Sequence, residues 1–112
     1  MRENKNMSID TSLEVKEILT FYDFPQLFIG ESKTNEIYIC LAYDNRNYLC
    51  TDINNEELEN FKKKNVDLLN LILDSDSGYY FSGEFIDEDK FLLKNRLRNL
   101  SKSMLPDSGF YI

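Results

Sequence analysis

The chain has no histidine among its 112 residues. That absence removes Ser-His-Asp and Cys-His nucleophile activation, histidine-ligated zinc, and the side chain that most readily moves protons near neutral pH. Cysteine is scarce as well. Cys40 and Cys50 are the whole supply, too few for a disulfide framework or a structural zinc site. No Walker loop, GxGxxG turn or HExxH is present. No apolar run approaches the length of a membrane span. The opening MRENKNMSID is charged, with no apolar stretch behind it; it predicts no secretory leader and a reducing, cytoplasmic setting. Positive charge is in deficit: 13 Lys and Arg face 20 Asp and Glu, for a formal charge of −7. Such a balance opposes direct binding to nucleic acid and suits a soluble protein with a basic partner.

What the chain does have is an apolar fraction of 42%, enough for one folded domain over residues 1–112. Residues 1–9 read as a frayed polar start, 10–86 as a sheet and helix core, 87–105 as a C-terminal helix and 106–112 as a tail. The stretch Tyr22–Ile53 is its strongest structural signal. Apolar runs at Leu27–Ile29, Ile37–Tyr43 and Tyr48–Ile53 are separated by turn formers, the pattern of an antiparallel meander. Asp10–Leu19 carries both a capping-box pattern and a strand alternation; its β-branched Val15, Ile18 and Thr20 favour a strand. Pro25 lacks a donor and predicts a corner or edge at Asp23–Pro25. Gly30 predicts a bulge or a close approach. Ile37–Tyr43 is apolar on both faces and predicts a strand covered on both sides. Pairing Tyr43 with Tyr48 sets Cys40 opposite Thr51, the favoured register; a one-residue change sets Cys40 opposite Cys50.

Asn54-x-x-Glu57 predicts a helix start, with Leu58 and Phe61 facing inward and a second helical turn over Val66–Leu73. Asp74–Gly78 reads as a turn and Tyr79–Ile86 as a strand. Asp87 is then read as the cap of a helix over Glu88–Met104, where Leu93, Leu97, Leu100 and Met104 fall at steps of four, three and four. The expected architecture is α+β: an antiparallel four- to five-stranded meander sheet, helices packed on one face, and a C-terminal helix.

Glu17-x-x-x-x-Tyr22-Asp23-x-Pro25-x-Leu27-Phe28, the Tyr38–Tyr43 strand, the Leu58 helix and Val66-Asp67-Leu68 together resemble a family of small uncharacterised bacterial domains with a YD-x-P-x-LF corner. The likeness spans Leu13 to Phe85. It implies a bacterial origin and an α+β fold, and carries no catalytic residue with it.

Candidate chemistry is thin. Cys40 and Cys50 lie in apolar strands without a basic neighbour, the setting of inert core thiols. Asp74–Gly78 has its glycine one position early for a calcium loop, and Phe85 stands where a bidentate Glu is needed. Glu84 and Asp87–Asp89 could hold a metal, but read more simply as acidic residues at a helix start. The tyrosines at 22, 38, 43, 48, 79 and 80 read as packing, with one of Tyr79 and Tyr80 sent outward by alternation.

Charge is segregated. Residues 89–104 set Asp89 against Lys90, Lys94, Arg96, Arg98 and Lys102, a net +4, while residues 1–88 sum to −10. The leading expectation is therefore a non-enzymatic interaction module, such as an inhibitor, antitoxin-like partner or accessory subunit in a bacterial defence or mobile-element system. Its expected interface comprises Leu93, Leu97, Leu100, Met104, Lys94, Arg98 and Tyr80, offered to a protein partner or a second copy. No cofactor, metal or membrane is implied. Two other readings remain: an acidic decoy mimicking nucleic acid through Glu56–Glu59 and Glu84–Asp89, and a carboxylate- or metal-dependent enzyme.

Overall fold

A computed structural model describes residues 11–44, 47–75 and 78–112. The segment 1–9, expected to be frayed, lies outside the described residues, as do positions 76 and 77 of the expected Asp74–Gly78 turn. The strands are β1 (Thr11–Tyr22), β2 (Phe24–Glu31), β3 (Ile37–Ala42), β4 (Tyr48–Ile53), β5 (Tyr80–Asp87) and β6 (Lys90–Leu97). Helices α1 (Asn55–Lys62) and α2 (Leu68–Leu73) lie between β4 and β5. The strands pair antiparallel in sequence order, and β6 returns to β1 to close a barrel.

This corrects the expected fold class. The sheet is closed and six-stranded, and the anticipated C-terminal helix does not exist. Residues Glu88 and Asp89 instead turn a tight hairpin, with the Asp87 carboxylate accepting from the Glu88 N–H and Asp87 pairing with Lys90. Phe91 and Leu93 point into the barrel and pair with Phe85 and Gly83. Lys94 is an extra residue between the pairs Gly83–Leu93 and Ser82–Asn95. Such a bulge reverses the alternation, so Leu97 faces outward with Tyr80 although Leu93 faces inward. The helix-like spacing of leucines thus arises from a strand with one residue inserted. Beyond it, only Lys102–Met104 is helical, as a single 3₁₀ turn.

The barrel wall has a core on each side. All six strands contribute to the inner one, including Leu13, Phe28, Cys40, Cys50, Phe85 and Phe91. Phe28, Tyr48, Phe85 and Phe91 meet in tilted or edge-to-face pairs with centroids 5.1–5.7 Å apart, the geometry that ring quadrupoles favour. A six-stranded barrel is narrow, and side chains fill it. The fit at Gly83 is closest: a Cβ there would lie 2.4 Å from Phe91 Cε1 and 2.5 Å from the Leu92 carbonyl. Gly30 is also a close-approach point, with Leu13 Cβ at 3.1 Å from a would-be Cβ.

The outer core covers the other face of β2, β3 and β4 with Phe61, Leu68, Leu71 and Ile72, and with Leu100, Met104, Leu105 and Ile112 of the C-terminal segment. Here the expectations for the helices hold. Asn54 and Glu57 form a reciprocal capping box, and Phe61 is fully buried. α1 closes with Lys64 in the left-handed region, at φ 66°. Asp67 caps α2 by accepting from the Asn70 N–H, and its second oxygen accepts from the Gly109 N–H at 2.7 Å. The Leu68 N–H donates to the Phe110 carbonyl, so one buried carboxylate and one backbone bond hold the tail against α2. The strand expected at 10–19 is found as β1, and Ile37–Ala42 is covered on both faces as expected. The corner before Pro25 is a tight turn at Asp23, at φ 66°.

The favoured β3–β4 register is corrected by one residue: Ala42 pairs with Tyr48 and Cys40 with Cys50. The Asp44 carboxylate accepts from both the backbone N–H and the side-chain amide of Asn47, and the Tyr43 N–H donates to the Asn47 carbonyl. That turn sends Tyr48 inward, where its hydroxyl donates to the Pro25 carbonyl at 2.6 Å. Directly opposed residues share a face, so Thr51 lines up with Ile39 on the outer side. A slip to the other register would place Thr51 with Cys40.

Two parts of the wall are thinly paired. Among the described residues, β4 and β5 share a single residue pair, Cys50–Phe81. Thr51 reinforces this seam by donating to the Tyr79 carbonyl at 2.7 Å. In addition, β6 reaches only Thr11–Glu14 of β1, with the Val15 N–H donating to the Asp89 carbonyl. From Lys16 to Tyr22, β1 pairs with β2 alone among the described residues, through a ladder broken by three register shifts.

Candidate functional site

The two ends of the barrel differ in chemistry. At one end lie the turns joining β1 to β2 and β3 to β4, and at the other lie the helices and the end of β6. The β5–β6 hairpin instead comes against the β2–β3 turn, where Glu31, Ser32, Lys33 and Lys90 line one cavity.

The helical end carries an arginine-lined groove. Gly78, Tyr80, Arg96, Leu97, Arg98 and Leu100 enclose about 400 Å³. Leu97, Leu100 and Tyr80 are half-buried and form its floor, while Arg96 and Arg98 are exposed. The Tyr80 hydroxyl donates to the Ile72 carbonyl at 2.8 Å, and burial, with Asp74 nearby, raises its pKa. That phenol is a fixed neutral wall. The Arg96 guanidinium lies 4.1 Å from the centroid of the exposed Tyr79 ring, a cation–π contact that restrains the side chain without neutralising it. Bulged Lys94 pairs with Glu84 at 3.2 Å.

Of the seven residues expected at an interface, the structure gathers Tyr80, Leu97, Arg98 and Leu100 around this groove. The other three are placed elsewhere. Leu93 is fully buried inside the barrel, Met104 packs on the outer core, and Lys94 is paired with Glu84. Sequence reasoning missed Arg96 as a groove residue because a helical seam puts it off the contact face; strand alternation with a bulge brings it beside Arg98.

The opposite end is acidic and aromatic. Tyr22, Asp23, Phe24, Gln26, Ala42, Tyr43, Asp44 and Asn47 line an open cleft of about 900 Å³. Phe21 beside it and Tyr22 in its wall are 62% and 72% exposed. Burial and the Asp44 charge raise the Tyr43 pKa. The Asp23–Pro25 corner foretold the turn, but no signal in the sequence marked Phe21 and Tyr22 as exposed.

Other candidates disperse. Tyr38 and Tyr48 are buried, and desolvation lifts the Tyr48 phenol to about 12. Among the described residues, no three of His, Cys, Asp and Glu come together as a metal site. Glu56 and Glu59 sit on α1, whereas Asp87–Asp89 belong to the β5–β6 hairpin, which lies against the β2–β3 turn. Among the described residues no helix is long and apolar enough to cross a membrane.

Fold and groove thus define a small closed antiparallel barrel with a cationic pocket at its helical end. Comparison with family models, with curated proteins and with solved structures finds no match to this chain.

Proposed function

We propose that this protein is a non-enzymatic interaction module whose groove at Arg96–Leu100 receives an acidic segment of a protein partner. The observation that carries this reading is the placement of Arg96 and Arg98 around an apolar floor of Leu97, Leu100 and Tyr80, on a chain whose formal charge is −7. An arginine fork is suited to carboxylates, and its weak hydration lowers the cost of docking against apolar surface. Acidic charge elsewhere on the chain turns away partners of the same sign and orients those whose acidic part is confined to one segment.

The test is fluorescence anisotropy of a labelled oligoglutamate peptide, with oligolysine as the control. Oligoglutamate binding is expected to weaken as salt rises, and to fall about tenfold, or ~1.4 kcal/mol, in Arg98→Glu. Arg98 is exposed, so the variant should keep the wild-type circular dichroism spectrum; Leu97→Glu would disturb the outer core as well. Oligolysine binding as tightly as oligoglutamate, or Arg98→Glu leaving affinity unchanged, overturns the reading.

A second copy is the alternative occupant, favoured by the cleft with Asp23 and Asp44 at the far end. Groove to cleft is a head-to-tail contact. Light scattering at low and high salt separates the two occupants. A mass above the monomer that falls with salt supports the second copy, and a monomer at both salts leaves only a different protein.

A further inference from the structure

Cys40 and Cys50 are free, fully buried and directly opposed across β3 and β4. Their position in the ladder matters. The Tyr43 N–H donates to the Asn47 carbonyl, which places hydrogen-bonded pairs at 43:47, 41:49 and 39:51 and leaves 40:50 between them. At such non-hydrogen-bonded positions the Cα atoms approach to about 4.5 Å, with side chains at their closest. A disulfide accepts Cα separations of roughly 4.4–6.8 Å. The β3–β4 ladder has no register shift, so bond formation requires rotation of the two thiols and no backbone rearrangement.

We infer that Cys40 and Cys50 form a dithiol site that closes to an intramolecular disulfide by exchange with a low-molecular-weight disulfide such as oxidised glutathione. The closed barrel keeps the pair reduced. Both thiols lack solvent contact, and burial together with the neighbouring Cys50 thiol holds Cys40 protonated; a protonated thiol is a poor nucleophile. Access comes through the β4–β5 seam, where Cys50–Phe81 is the single described pair against six across β3–β4. A local opening there uncovers Cys50 first.

The Cys50 thiol then loses its proton to water, and the thiolate attacks one sulfur of the reagent. A sulfur–sulfur bond forms, the reagent's own bond breaks, and one glutathione thiolate leaves. Cys40, deprotonated in turn, attacks the Cys50 sulfur and expels the second glutathione thiolate. The protein loses two protons and two electrons, and the reagent gains them as two thiols.

The test uses the whole chain incubated with oxidised glutathione under native conditions, quenched in acid, then unfolded and alkylated. The expected result is a monomer lighter by two hydrogen atoms, with no alkylatable thiol and a Cys40–Cys50 cross-link in the peptide map. Small additions of urea should accelerate the reaction before global unfolding, because opening limits it. Cys40→Ser should stop at the mixed disulfide on Cys50. Recovery of both thiols in alkylatable form, a stable mixed disulfide on the unsubstituted chain, or cross-linked dimers in place of the intramolecular bond would overturn the inference.

Discussion

The inner core is enclosed by strands alone and is filled by rings, whereas the outer core is mostly Leu and Ile, supplied by the strands' other faces, two helices and the tail. The difference is one of tolerance. Interlocked rings in a closed tube have nowhere to move, and a would-be Cβ at Gly83 would already overlap Phe91. The outer layer is built of separate pieces, each with its own anchor: a capping box for α1, Asp67 for α2 and the tail, and a 3₁₀ turn at Lys102–Met104. Damage should therefore spread through the inner core and stay local in the outer one.

Phe91→Ala makes the sharpest test. It empties space in contact with Phe28, Tyr48 and Phe85, and is expected to lower stability by about 3–5 kcal/mol in urea denaturation. Hydrogen exchange should quicken in every strand. Phe61→Ala, at similar transfer cost, should concentrate its exchange in α1 and α2; equal spreading in both variants would break the comparison. Gly83→Ala follows, at about 1–3 kcal/mol by overpacking, with loss of near-ultraviolet ellipticity from the displaced rings. Asn54→Ala removes the cap of α1 and is expected to cost about 1 kcal/mol, with exchange changes confined to that helix.

The smallest effect is a pH dependence. Hydrogen bonds from Gly109 and Asn70 hold the Asp67 carboxyl below its ordinary value. A depressed carboxyl stabilises fully above its unfolded pKa of roughly 3.9, and that contribution is lost as pH falls through the lower folded value. The tail contact should therefore be intact at neutral pH and released in acid, visible as amide shifts at Gly109 and Phe110. Asp67→Asn should flatten the acid limb of the stability profile. Release of the tail between neutral pH and the ordinary carboxyl range would show that something other than Asp67 holds it.

The same contrast explains what could be read from the sequence. Outer-core elements announce themselves locally: Asn54-x-x-Glu57 is a cap whatever surrounds it, and Ile37–Ala42 is apolar on both faces because it belongs to both cores. Closure does not. It depends on β6 reaching β1 across nearly the whole chain, and on a bulge at Lys94 that disguises a strand as a helical seam. The interface expectation inherited that error. Tyr80, Leu97, Arg98 and Leu100 meet at a groove because a strand and the loop after it put them there, while Leu93 is lost to the interior. The hairpin register turned on whether Asp44 or Tyr43 opened the loop, a choice made by one carboxylate and the Asn47 amide.

The overhanging part of β1 has a consequence for crowding. Between Lys16 and Tyr22 the strand leaves one margin without a second strand partner among the described residues, and it carries exposed Ile18, Phe21 and Tyr22. A smooth margin of that kind would invite stacking of copies into fibres. Here extra residues at Lys16 and Leu19 throw successive amides out of step, and no straight strand can match them over more than a few positions. The longest strand of the barrel thus keeps an unpaired edge without becoming a template.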